Sequence, residues 1–160
     1  MSEEEVVMHC APTLAGLKTA NMFRAAYSKI SEINSDIRKM NRSLKEKGIR
    51  VMPLSYEDGH ALIYIYRPVS LRRDLSDRLA CEVLSSYGYC VEKPEQCIAR
   101  LVKKLQKSNI FPHEIGFFLG YPAEDVVGFI NDRDKCKACT KKLCSMYKNG
   151  ISMEKLAVAI

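Results

Sequence analysis

The sequence predicts an α+β fold, mostly helical, with a central antiparallel β-hairpin or three-stranded sheet covered by helices. Three observations carry this. Residues 49 to 54 (IRVMPL) and 61 to 67 (ALIYIYR) are rich in β-branched and aromatic types and flank the turn pair Asp58-Gly59. The second of these strands is apolar on both faces, which requires cover on both sides. Apolar residues then recur at helical spacing before and after the hairpin.

Taken in order, Thr13 is positioned to cap a helix, and Phe23, Tyr27, Ile30, Ile33, Ile37, Met40 and Leu44 form one face of a long amphipathic helix that Gly48 ends. The hairpin follows. Ser70 caps a helix with Leu71, Leu75, Leu79, Val83 and Leu84 turned inward and Gly88 as its stop. Tyr89 to Val91 read as a short third strand. Pro94 opens a helix burying Cys97, Ile98, Leu101, Val102 and Leu105, with Lys103, Lys104 and Lys107 in solvent. Short helices over 113 to 119 and 123 to 131 flank Gly120-Tyr121-Pro122, and a last amphipathic helix runs from Ser152 to Ile160.

The 160 residues, 47% hydrophobic and 28% charged, suit a single domain spanning 1 to 160, with a cysteine-containing tail segment from about 132. The acidic start and the interrupted apolar stretch after it do not read as an export signal, and no apolar run reaches the roughly 18 residues of a membrane span. A cytoplasmic protein is expected, with no membrane association. Seven cysteines in such a setting read as thiols or metal ligands rather than as a disulfide framework. The net charge of +6 favours anionic partners and is read as diffuse.

Several constellations could carry chemistry. His9 and Cys10 precede the expected helix start at Thr13, where free N–H groups and the dipole favour an anion, and Lys18 and Asn21 share a helix face beyond it. Asn21 and His9 can equally tie the first segment to the core. Cys10 at a helix start could be an activated nucleophile, but its neighbour His9 points elsewhere, and a buried structural thiol is the competing reading. Arg67, ending the central hairpin, could clamp a carboxylate or phosphate, or pair with an acid such as Asp74. His113 and Glu114 could transfer a proton, or Glu114 could complement a helix dipole while His113 sits in solvent. The same stretch has the spacing of a helix-turn-helix. Its second helix, however, carries acids and no Arg or Lys, so nucleic acid is not expected as a partner. Cys136, Cys139 and Cys144 offer a CxxC bite for zinc or an iron–sulfur cluster, with the fourth ligand to come from Cys90, Cys97 or a His.

HCAPTLAGLKTANMF (9 to 23), Tyr66-Arg67-Pro68 and FPHEIGFFLGYPAEDVVGFI (111 to 130) together resemble a family of small bacterial proteins known only as a domain of unknown function. The resemblance spans His9 to about Tyr147. It implies no reaction. The family's genes often lie near those for flavodoxin or ferrous-iron transport, which implies a redox or iron-related accessory role and a redox protein partner. The family's tail carries Cys followed by a Trp-Lys-Val-Tyr-like segment, whereas this chain has Cys144-Ser-Met-Tyr147-Lys148 and no Trp.

Two functional expectations result, and neither settles whether the protein is an enzyme. The first is a cytosolic module binding a small anionic ligand or a protein partner through His9, Lys18, Asn21, Arg67, His113 and Glu114. The second is a metal-dependent or redox accessory protein using Cys136, Cys139 and Cys144.

Overall fold

A computed structural model describes residues 1–107 and 111–131. Its elements are α1 (Glu3–Leu14), β1 (Ala20–Ala26), α2 (Ile30–Leu44), a 3₁₀ turn (Lys45–Lys47), β2 (Arg50–Glu57), β3 (His60–Tyr66), α3 (Pro68–Leu75), α4 (Arg78–Ser86), α5 (Pro94–Lys107), α6 (Ile115–Phe118) and α7 (Ala123–Asn131). The class is α+β, as the sequence predicts. The expected helix from 152 to 160 lies outside the described residues.

The three-stranded antiparallel sheet has the order β1-β3-β2, so β3 is central. Ile63, Tyr64 and Ile65 are fully buried, as two-sided cover requires. One face packs Phe23, Ala25, Val51, Ile63 and Ile65 against Val6 and Cys10 of α1 and Ile33 and Ile37 of α2. The other packs Met22, Leu62 and Tyr64 against Leu71, Leu84, Leu101 and Phe118 of the later helices. Each such aliphatic side chain contributes about 1.5–3 kcal/mol by leaving water. The hairpin turn holds Asp58 at φ 49° and Gly59 at φ 73°. Two left-handed residues in succession make the tight turn that matches strand twist.

Two elements differ from the sequence expectation. The first helix starts at Ser2, whose hydroxyl accepts from the Glu5 N–H at 3.1 Å, so Thr13 lies in its last turn rather than at its start. Residues 20–26, expected to be helical, form the third strand. Their inward positions alternate, with Asn21, Phe23 and Ala25 facing α1 and Ala20 and Met22 facing the later helices. Burial on both faces overrides the weak strand preference of this Ala-containing segment. Tyr89 to Val91 accordingly form no strand. The helix expected from Ser70 begins instead at Pro68 and breaks after Leu75, where the Asp77 carboxylate accepts from the N–H groups of Leu79 and Ala80 and starts α4.

Candidate functional site

The six residues expected to form one binding site fall into separate places. His9 lies in the second turn of α1, stacked on Phe23 with ring centroids 5.2 Å apart. Cys10 beside it is fully buried within the helix, so neither stands at a helix N-terminus, because Ser2 rather than Thr13 begins the helix. Lys18 lies in the turn before β1 with its ammonium 5.0 Å from the centre of the Tyr121 ring. Asn21 is on the strand, 2% exposed, and so does not share a helix face with Lys18. Its side-chain oxygen accepts from the Thr13 hydroxyl at 2.6 Å.

Arg67 has a structural task. Its Nε and Nη2 donate at 2.8 Å to the carbonyls of Thr13 and Leu14, and Nη1 donates at 3.3 Å to that of Lys47. These carbonyls close α1 and the 3₁₀ turn, so the guanidinium serves as their cap. Asp74, the alternative partner for Arg67, instead accepts from the Thr19 hydroxyl and from Arg73. Asn21 and Arg67 are thus linked through Thr13, on the α1 side of the sheet.

Glu114 belongs to the opposite layer. It is 5% exposed, and one carboxylate oxygen accepts from Lys104 at 2.5 Å and from the Tyr89 hydroxyl at 3.0 Å. The Lys104 ammonium also lies 5.0 Å from the Tyr87 ring centre and 4.8 Å from that of Tyr89. Lys104 is therefore drawn inward rather than solvated, because a buried carboxylate requires a charged partner. Burial and the Glu114 charge hold the Tyr89 phenol far above its usual range. His113 packs near Phe129.

The segments that carry the resemblance do meet at one point. Thr19 from the first motif, Asp74 from α3 and Gly120 from the last converge, and a Cβ on Gly120 would stand 2.6 Å from that of Thr19. Tyr64, whose phenol burial pushes well up, donates to the Phe118 carbonyl at 2.6 Å close by. These contacts are internally satisfied, and no buried side-chain polar atom of the described residues lacks a partner. The convergence is a packing junction.

The unsatisfied charge lies elsewhere. Residues 38–50 hold Arg38, Lys39, Arg42, Lys45, Lys47 and Arg50 against Glu46 alone, a net +5 of the chain's +6. The charge is concentrated rather than diffuse. All six cations are exposed and none forms an ion pair among the described residues. Arg38 and Arg42, one turn apart, line a shallow depression of about 440 Å³ with Ser35 and Asn41. Its floor is fixed, because the Asn41 amide donates to the Val51 carbonyl at 2.7 Å and accepts from the Val51 N–H at 2.9 Å. Glu57 and Asp58 stand at the hairpin tip, Glu32 in the first turn of α2 with Asp36 one turn on, and Glu3, Glu4 and Glu5 in the first turn of α1. The run of cations is visible in the sequence, and the hairpin pairing sets its last member, Arg50, opposite Tyr66 at the end of β3.

Among the described residues, no group of three or more His, Cys, Asp or Glu is placed to hold a metal ion. Cys136, Cys139 and Cys144 lie outside the described residues. No described helix is long and apolar enough to cross a membrane.

The chain matches DUF3793, described as a protein of unknown function, over residues 6–157. No curated protein and no solved structure matches it.

Proposed function

The chain belongs to DUF3793, a family of unknown function, and from its surface we propose that it is a cytoplasmic binding module that docks an acidic segment of a protein partner. The docking face is the C-terminal half of α2, the 3₁₀ turn and the start of β2. The observation that carries this reading is the cluster of six exposed cations without acidic partners among the described residues. Like charges one turn apart destabilise a helix by about 0.2–0.5 kcal/mol per pair, and a merely solvated face mixes both signs. Neither Arg38 nor Arg42 forms an ion pair among the described residues.

The chemistry is electrostatic docking. Guanidinium groups donate paired hydrogen bonds to carboxylates, and a wide basic face raises the encounter rate at low salt. A shallow depression on a convex helix suits side chains presented by a partner better than it suits enclosure of a small ligand. The cytoplasmic setting is supported by Cys81, Cys90 and Cys97, which are in no disulfide. The alternative metal or redox role for Cys136, Cys139 and Cys144 rests on their spacing alone.

The test is calorimetric titration with a glutamate decapeptide at low and physiological salt. Saturable binding that weakens with salt and disappears in Arg38→Glu/Arg42→Glu is expected, with the unfolding midpoint of that variant unchanged or raised. Wild-type protein that takes up no decapeptide, or the double variant binding it equally well, would refute the reading.

A further inference from the structure

The loop between α4 and α5 brings two cysteines together. Cys90 is exposed in that loop, and Cys97 lies fully buried in the first turn of α5. The Cys97 thiol donates to the main-chain carbonyl of Cys90 at 3.1 Å, and the same carbonyl accepts from the Lys93 N–H at 3.1 Å. The turn from Cys90 to Lys93 thus folds the loop back onto the helix start, where the Cys97 N–H donates to the Lys93 carbonyl at 3.1 Å. The Cys97 sulfur therefore stands against the backbone from which the Cys90 side chain hangs. Neighbouring backbones are what a disulfide requires, and an exposed side chain changes rotamer freely.

The two thiols differ in what they can do. Burial pushes the Cys97 thiol up to about 11, and the Cys90 thiol is the first neighbour to reinforce this, an influence that needs the two groups close. Protonated and out of contact with solvent, Cys97 does not meet a solute by itself. Cys90 does, because it is exposed. An accessible thiol beside a buried one has the arrangement of an attacking and a resolving cysteine. Cys81 is engaged elsewhere, its thiol donating to the Leu75 carbonyl at 3.1 Å.

We propose that Cys90 and Cys97 are a thiol–disulfide pair that is oxidised by a low-molecular-weight disulfide of the glutathione class. The Cys90 thiolate attacks one sulfur of the oxidant, and a mixed disulfide forms as the first small thiolate leaves. The Cys97 sulfur then attacks the Cys90 sulfur. The bond to the oxidant breaks, and the Cys97 proton departs with the second small thiol. Two protein thiols lose two electrons in all, and one small disulfide is reduced to two thiols. The new bond ties the loop to the first turn of α5, whose Cys97, Ile98 and Leu101 belong to the core. The pair is separate from the cations of α2 proposed to bind the acidic segment, so either assignment can stand without the other.

Mass spectrometry of the full chain tests the proposal, with reduced protein incubated with oxidised glutathione, quenched in acid, alkylated and cleaved after glutamate. Cleavage at Glu82, Glu92 and Glu95 leaves Cys81, Cys90 and Cys97 in separate peptides. In the wild type, peptides 83–92 and 96–114 should be joined by a disulfide with no glutathione retained on either. Cys97→Ser, whose hydroxyl can still donate to the Cys90 carbonyl, should stop at a glutathione adduct on Cys90. Cys90→Ser, at an exposed position, should keep the wild-type unfolding midpoint and leave Cys97 unmodified. A Cys90 that does not react or that keeps its glutathione in the wild type would overturn the proposal. So would a disulfide joining Cys90 to Cys81 or to a tail cysteine, or glutathione on Cys97 in folded Cys90→Ser.

Discussion

Replacing Arg67 with alanine separates a capping role from a ligand-binding one. Two of its donors meet half-buried helix carbonyls at 2.8 Å, and the third, at 3.3 Å on the surface, adds little. A hydrogen bond involving a charged group contributes about 1.5–3 kcal/mol, and the lower value applies where water has partial access. The Thr13 carbonyl keeps a second donor in the Gly16 N–H at 3.2 Å, so its loss is softened. The expected cost of Arg67→Ala is therefore about 2–3 kcal/mol. With a urea m-value of about 1–3 kcal/mol/M, the midpoint should fall by roughly 1–2 M at unchanged slope. Urea unfolding followed by far-ultraviolet circular dichroism reads this directly, since the chain has no Trp. Arg67→Lys should recover only about half, because one ammonium cannot span two carbonyls in the fixed geometry of the fork. A loss below about 0.5 kcal/mol would show that the guanidinium does not hold α1, and would return Arg67 to the candidates for ligand binding.

Three further substitutions probe other parts of the structure. Gly120→Ala combines a left-handed backbone at φ 76° with a Cβ driven against Thr19, so a cost above the roughly 1 kcal/mol of the backbone strain alone is expected in the same unfolding assay; a neutral result would remove the tight junction with Thr19. Lys104→Met should cost about 2–3 kcal/mol and more than Glu114→Gln, because it strands a buried carboxylate, whereas Lys104 without Glu114 keeps both tyrosine faces and a path to solvent; the reverse order would contradict the burial argument. Burial, reinforced by the nearby Cys90 and Cys81 thiols and by Glu95, pushes the Cys97 thiol up to about 11. The folded state then keeps a proton that the unfolded chain releases near 8.5, so stability falls as pH rises from about 8.5 towards 11, with a slope approaching 1.4 kcal/mol per pH unit. Cys97→Ala should flatten that part of the profile, and an unaltered alkaline slope would refute the assignment.

The hairpin, α5 and α7 were legible because their signals are local: a turn pair with φ above zero, a proline at the first helical position, and an apolar face of constant period. α1 and β1 carry competing local signals. Ser2 and Glu5 form a capping pair at the head of the sequence, but Thr13, followed by the apolar residues from Phe23 on, suggested the competing start. Phe23 and Tyr27 continue the helical spacing of α2 by coincidence, and only pairing with β3 makes the strand the better state. The break between α3 and α4 was signalled by Asp77 and hidden by the leucines on either side.

The candidate site shows the same division. The meeting of Thr19, Asp74 and Gly120, and that of Glu114 with Lys104, depends on contacts across many residues of sequence that no local pattern records. The cations of residues 38–50 were readable, yet the charge of the whole chain conceals how unevenly it is distributed.

Amide chemical-shift mapping of the isotopically labelled full chain during titration with a glutamate decapeptide tests the central claim most directly. Shifts concentrated on residues 35–50, and abolished by Arg38→Glu/Arg42→Glu, are the predicted result. Shifts centred on His9, Asn21 and His113, or none at all, would contradict it.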